Sequence, residues 1–134
     1  MRVGFVAGAF DVIHPGYVDM FYQAKSDCDY LIVALHRDPT IERPEKMKLV
    51  LDYWDRFNTL NAIKYIDQII PYDTESDLVA ILERVKPHVR FLGDDYLGKQ
   101  ATGSHLNIPI RYLDRSHGWS TTLFKQKIKH MTND

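Results

Sequence analysis

Short apolar runs alternate with longer helix-patterned stretches along the whole chain, at about one pair per 25–30 residues, and this rhythm leaves few folds open. Residues 2–7 (RVGFVA), 30–35 (YLIVAL), 68–72 (QIIPY), 88–92 (HVRFL) and 110–113 (IRYL) are rich in Val, Ile, Leu, Phe and Tyr, as buried strands are. Between them, Val18, Phe21, Tyr22 and Lys25 keep the spacing of one helix face, the stem of Lys25 covering its edge. Residues 53–62 put Trp54, Phe57, Leu60 and Ala62 on a similar stripe. Residues 76–85 open with Ser76 as the expected N-cap and align Leu78, Ile81, Leu82 and Val85. Residues 121–131 carry Leu123, Phe124, Ile128 and Met131, with basic residues towards the end that suit the helix dipole.

The order β-α-β-α-β-α-β-β-α predicts an α/β fold: a Rossmann-like doubly wound sheet of about five mostly parallel strands with helices on both faces. Two polar stretches, 37–50 and 94–109, follow strand ends, where open α/β sheets bind ligands. At 134 residues the expectation is one domain, 1–134, with a core large enough to need no staples. Seventeen basic and eighteen acidic side chains leave a formal charge of -1, which gives no support to a strongly basic nucleic-acid binder. The single cysteine, Cys28, excludes an intrachain disulfide and a zinc site built on several thiolates. No apolar run reaches the ~18 residues of a membrane span, and residues 1–7 lack the flanks of a signal peptide. The expected setting is cytoplasmic, with neither nucleic acid nor membrane as partner.

The first turn is the most informative segment. Gly8-Ala9-Phe10-Asp11-Val12-Ile13-His14-Pro15-Gly16-Tyr17 follows the first strand with small residues, so its backbone N–H groups can approach a ligand closely. A helix starting near Pro15 and Gly16 offers its N-terminus to a phosphate, and His14 and Tyr17, one helical turn apart, can face the same anion. A strand–helix corner with a buried histidine is the simpler alternative reading of the same residues.

These residues resemble the G-x-F-D-x-x-H-x-G-H signature of the HIGH-motif nucleotidylyltransferase superfamily. The best fit is the glycerol-3-phosphate cytidylyltransferase family. Its late R-T-E-G-I-S-T-T motif corresponds to Arg115-Ser116-His117-Gly118-Trp119-Ser120-Thr121-Thr122, and its G-D-D-W stretch to Gly93-Asp94-Asp95-Tyr96. The three motifs fall in order at the ends of the first, fourth and fifth strands, and the resemblance covers essentially the whole chain. Tyr17 departs from the signature by standing where the family has a second histidine. In the family both histidines neutralise the α-phosphate as it becomes five-coordinate. A tyrosine donates a hydrogen bond there but, with a pKa near ~10, carries no positive charge at pH 7.

The resemblance implies transfer of CMP from CTP to a small phosphorylated alcohol, glycerol 3-phosphate being the nearest precedent, with release of pyrophosphate. Such chemistry brings two anions together, so it needs Mg²⁺ and basic side chains rather than a covalent nucleophile. His14, Tyr17, Lys46 and Arg115 are the expected catalytic residues. The family's phosphate-binding lysine, about ten residues before an arginine matched by Arg56, points to Lys46 first and Lys48 second. Gly8, Ala9, Phe10, Asp11 and Gly16 form the expected first phosphate-facing turn. Ser120, Thr121 and Thr122 match the β- and γ-phosphate site, although Ser120 also reads as an ordinary N-cap. Asp95 and Tyr96 match the pair beside base and ribose, and Asp11 is the candidate Mg²⁺ ligand. Asp38, Asp67 and Lys64 align with weaker family positions, whereas His117 matches none.

Two alternatives share these residues. The late motif also occurs in sugar-phosphate adenylyltransferases, so the nucleotide is equally ATP on that motif, with a sugar phosphate or other phosphorylated acceptor. A catalytically weak nucleotide-binding protein is favoured by Tyr17 alone. The family also implies a homodimer.

Overall fold

The computed structural model describes residues 1–46 and 48–131. Its strands are β1 (Val3–Gly8), β2 (Tyr30–His36), β3 (Gln68–Tyr72), β4 (Val89–Gly93) and β5 (Ile110–Leu113). Its helices are α1 (Pro15–Ser26), α2 (Tyr53–Asn61), α3 (Glu75–Val85) and α4 (Thr121–Met131). The sheet order is β3-β2-β1-β4-β5. Every pairing is parallel, so the expected mostly parallel sheet is parallel throughout.

A parallel sheet covered on both faces demands apolar side chains on both, which is why β2 reads as an unbroken apolar run. Leu31, Val33 and Leu35 point to one face, where they join Val6 and Phe91 of neighbouring strands, Phe21 and Ala24 of α1, and Leu60 of α2. Ile32 and Ala34 point to the other, with Phe5, Tyr72 and the Leu78, Ile81 and Leu82 stripe of α3. Burying each such side chain fully contributes about 1.5–3 kcal/mol, and the large apolar ones sealed from solvent, Phe5, Phe21, Phe91, Leu31, Leu60 and Leu82 among them, are divided between the two faces.

Helix starts follow from local donors and acceptors. His14 caps α1: its Nδ1 accepts the Gly16 N–H at 3.1 Å, with Pro15 just inside the helix where a missing N–H costs nothing. The expected Ser76 cap of α3 is corrected by two residues. Thr74 is the cap, its Oγ1 accepting the Asp77 N–H at 3.0 Å while an Asp77 carboxylate oxygen accepts the Thr74 N–H at 3.1 Å. This reciprocal box satisfies two exposed donors at once, which Ser76, already within the first turn, does not. Ser120 caps α4 by accepting the Leu123 N–H at 3.1 Å.

From β1 the chain winds outwards through β2 and β3, then crosses to β4 and β5 on the other side. The two directions part between β1 and β4, and the crevice above their carboxyl ends is the place such a sheet leaves for a ligand. Both polar stretches border it. The second holds two 3-10 turns, Asp94–Tyr96 and Ser104–Leu106.

Candidate active site

Two buried charges build the rim of that crevice. Arg56 of α2 is 1% exposed, and its guanidinium donates to four backbone carbonyls: Leu51 at 3.1 Å, Ala9 at 2.9 Å, His36 at 2.6 Å and Arg37 at 2.6 Å. One planar fork therefore ties the loop after β1, the end of β2 and the start of α2 together. Asp11 performs the converse task. Its carboxylate accepts the Val50 N–H at 2.8 Å and the Leu51 N–H at 2.9 Å, and pairs with Lys125 of α4 at 2.6 Å. Between these anchors Phe10 is held at a φ of +48° while its ring is buried, a strained conformation that the surroundings impose on the phosphate-facing turn. A β-carbon at Gly8 would come within 2.9 Å of that ring.

His14 sits at the junction of the first and last motifs. Its ring stacks on Tyr17, with centroids 4.2 Å apart, and lies parallel to Trp119 at 5.4 Å. Gly16 permits this closure, because a β-carbon there would lie 2.6 Å from the Trp119 Cβ. Since Nδ1 accepts the Gly16 N–H, the neutral ring carries its proton on Nε2, which lies 3.4 Å from the Thr121 hydroxyl. The Tyr17 hydroxyl meets the same Thr121 oxygen at 2.5 Å. Burial, then the fields of His117 and Arg115, lower the His14 pKa and keep the imidazole neutral. Burial raises that of Tyr17, so its phenol remains a donor at neutral pH. The histidine and the tyrosine thus converge on one oxygen at the start of α4, where an anion can replace the hydroxyl as their common acceptor.

Beside this junction opens a cleft of about 390 Å³. Of the expected residues, Gly8, Ala9, Phe10, Asp11, Tyr17, Lys46, Tyr96, Thr121 and Thr122 line it. Lys48 and Ser120 do not; Lys48 is exposed, and Ser120 caps α4. His14, buried and stacked on Tyr17 and Trp119, does not itself line the cleft; its Nε2 edge reaches the Thr121 hydroxyl, which does. Arg115 lies in the loop before α4 and braces it, donating to the Trp119 carbonyl at 3.2 Å. The Asp95 side chain falls outside the described part of the structure. Asp67 stands away from the cleft, accepting Lys25 and the Leu31 N–H, and Lys64 lies over the Tyr65 ring. Asp38 folds back onto Thr40. His117 takes the Trp119 N–H on its Nδ1 at 2.9 Å.

The cleft also holds residues that sequence reasoning passed over. Lys125 looked like a helix-dipole residue, yet it reaches Asp11 across 114 positions. Arg43, Tyr72, Glu75 and Arg90 line the cleft as well. Trp119 occupies a variable place in the late motif, and its stacking role has no sequence signal beyond its aromatic character.

Asp11 does not fit the role of metal ligand. Both its oxygens are occupied, one of them by an ammonium group, and among the described residues no three His, Cys, Asp or Glu side chains cluster as a metal site. Burial pushes the Asp11 carboxyl up, but Lys125 and the two amides outweigh it and hold the pKa below its ordinary 3.8. The pair therefore contributes stability that is complete above pH ~4 and is lost as the pH falls through the lowered folded value. Asp11→Asn is expected to cost about 2–4 kcal/mol at pH 7, by leaving the largely covered Lys125 without its counter-ion. That deficit should shrink below pH ~4 in denaturant titrations, as the wild-type carboxylate is itself protonated. A deficit independent of pH would show that the pair is not what stabilises the fold here.

Residues 5–127 match the model of the cytidylyltransferase-like family. The chain is 31% identical over 134 residues to the bifunctional protein HldE of Campylobacter concisus (strain 13826), and 29% identical to that of Helicobacter pylori (strain J99 / ATCC 700824). These alignments cover 99% of this chain but only 28% and 29% of the relatives, so the chain spans under a third of their length. Among solved structures it is similar to a lipopolysaccharide core biosynthesis protein from Thermoplasma volcanium GSS1. That likeness has a TM-score of 0.68 at 25% identity, and covers 85% of this chain and 95% of that one. Pantothenate synthetase from Thermus thermophilus shares the fold at 14% identity, with a TM-score of 0.60 over 85% of this chain and 55% of that one. With the first and last motifs meeting at Thr121 and the family model spanning nearly the whole chain, this protein belongs to the cytidylyltransferase-like family of HIGH-motif nucleotidyltransferases.

Proposed function

We propose that the chain transfers a nucleotidyl group from a nucleoside triphosphate to a sugar phosphate, releasing pyrophosphate. The observation that carries the reaction is the convergence of His14 Nε2 and the Tyr17 hydroxyl on Thr121, beside a cleft of about 390 Å³. An oxygen of the acceptor's phosphate attacks the α-phosphorus, a new P–O bond forms, and the bond to the β-phosphate oxygen breaks. His14 donates through Nε2 and Tyr17 through its hydroxyl to the oxygens that gain charge, so neither needs to be cationic. Lys46, on the rim, supplies positive charge to the departing pyrophosphate, with the N-termini of α1 and α4 adding their dipoles. Asp11 being committed to Lys125, Mg²⁺ in this reading would enter with the nucleotide's phosphates rather than on Asp11.

The sugar-phosphate acceptor rests on the late motif's occurrence in sugar-phosphate adenylyltransferases and on the likeness to a lipopolysaccharide core biosynthesis protein. The motif by itself admits ATP as readily as CTP; the sugar-phosphate enzymes that carry it are adenylyltransferases, so ATP is the donor that goes with this acceptor. The Gly93-Asp94-Asp95-Tyr96 stretch favours the second reading, CTP with glycerol 3-phosphate. Pyrophosphate release with Mg²⁺ separates them, using ATP or CTP crossed with hexose 1-phosphates or glycerol 3-phosphate. Release that needs ATP and a sugar phosphate is the expected result. Release confined to CTP and glycerol 3-phosphate would overturn it, and nucleotide binding without release would identify a binding protein.

A further inference from the structure

Arg90 is the one buried cation in the cleft for which the described residues supply no counter-ion. It lies on β4 opposite Phe5 of β1, on the sheet face covered by α3, and is 4% exposed. One terminal nitrogen donates to the Thr102 carbonyl at 2.5 Å. The Nε–H is buried with no acceptor, and it is the only side-chain polar atom so placed among the described residues. No carboxylate of the described residues lies within ion-pair distance of it: Glu75, the nearest acid by its field, is held by Arg43 at 3.4 Å. The other buried arginine, Arg56, spends its guanidinium on four carbonyls. A guanidinium cannot shed its charge by titrating at physiological pH, and leaving it desolvated with a single neutral partner is costly. Such a group persists where a ligand provides the counter-ion.

Its place in the cleft says which ligand. Tyr17, Thr121 and Thr122 mark the end where the first and last motifs meet and the nucleotide phosphates bind in the reading above. Arg90 lines the same cleft from the α3 face of the sheet, within the field of Glu75 and Tyr72. An acceptor whose phosphate reacts beside Tyr17 and Thr121 would reach towards Arg90 with its remote end.

We propose that Arg90 selects acidic acceptors: the sugar phosphate carries, remote from its reacting phosphate, a second oxyanion that pairs with Arg90. This rests on the nucleotidyltransferase reading of the cleft and deepens it. A guanidinium suits a carboxylate or a second phosphate equally.

Acceptors that differ only at the remote end test this. Glucose 1-phosphate, glucuronic acid 1-phosphate and glucose 1,6-bisphosphate are compared as substrates by pyrophosphate release and as ligands by thermal shift. Glycerol 3-phosphate against 3-phosphoglycerate gives a shorter pair. Wild-type kcat/KM is expected to favour at least one acidic acceptor over its neutral counterpart by about 30-fold or more. The two hexose derivatives report whether carboxylate or phosphate fits. In Arg90→Met that ratio should fall to near one, through the acceptor's KM and not the nucleotide's, with Arg90→Lys intermediate. Arg90→Met without ligand should also melt no lower than wild type, since it removes an uncompensated buried charge. Equal use of acidic and neutral acceptors by the wild type overturns the proposal. So does a rise in nucleotide KM in Arg90→Met, which would put the triphosphate on this residue. Absence of turnover with selective, Arg90-dependent stabilisation by acidic ligands would sink the catalytic reading and keep the binding one. Absence of both would sink the two together.

Discussion

Arg56→Ala is expected to lower stability by about 3–5 kcal/mol, the cost typical of dismantling a buried charged network. For a chain of this size that corresponds to a fall in Tm of roughly 10–20 °C, a large part of an ordinary stability margin of about 5–15 kcal/mol. The reason is a count of acceptors. The guanidinium serves the carbonyls of Ala9, His36, Arg37 and Leu51, and alanine leaves all four unanswered in a space that water reaches poorly. Arg56→Lys should recover only part of the loss, because one ammonium cannot present the same planar fork. Loss of the Ala9 tether should also loosen the turn that carries Phe10, so residual activity should fall further than the folded fraction. Thermal unfolding followed by circular dichroism checks the first part, and turnover per folded molecule the second. A Tm within about 3 °C of wild type for Arg56→Ala, against the 10–20 °C fall expected from the cited scaling, would show that the four carbonyls find other donors.

Arg56 also shows how sequence and structure divide. As a letter it served only as a spacing landmark for Lys46; its work depends on three backbone segments brought together by the sheet. What could be read in advance was whatever a local period carries: the apolar run of β2, the Pro15-Gly16 helix start, the five-strand rhythm, and three motifs that fall at strand ends. Arg90 was hidden for the opposite reason. Within HVRFL it reads as one polar letter in a strand, and alternation cannot tell that its face meets a cavity instead of α3 side chains. Lys125 fitted the end of a basic helix so well that nothing suggested Asp11 as its partner. The Thr74 cap lost to Ser76 because both precede an apolar stripe, and only the Asp77 carboxylate decides between them. Tyr17 was legible as a departure from a signature. Its bond to Thr121, which gives that departure a chemical meaning, was not.

His14→Ala is expected to reduce turnover by about 10²–10³-fold, the effect typical of losing one preorganised donor to a transition-state oxygen, or ~2.7–4 kcal/mol. Nucleotide affinity should change far less, because Thr121, Thr122, Lys46 and the helix termini remain. The structure makes this donor a neutral one. Protonating Nδ1 would set an N–H against the Gly16 N–H it now accepts, and burial and the fields of His117 and Arg115 oppose the charge in the same direction. In the free protein the His14 ring should accordingly titrate below its ordinary 6.5 when followed by NMR. Part of the loss will be structural, since alanine also removes the α1 cap, worth about 0.5–2 kcal/mol of stability. His14→Asn separates the two: its side chain can still accept the Gly16 N–H but is too short to reach Thr121, so it should restore stability without restoring turnover. Tyr17→Phe gives the matching control, removing the second donor while keeping the stack on His14. Wild-type turnover in both His14 variants would take the imidazole out of the reaction and leave it as the cap of α1. A ring that titrates above 6.5 would make it a cation, and the compensation for the missing second histidine would then lie in charge rather than in the Tyr17–Thr121 pair.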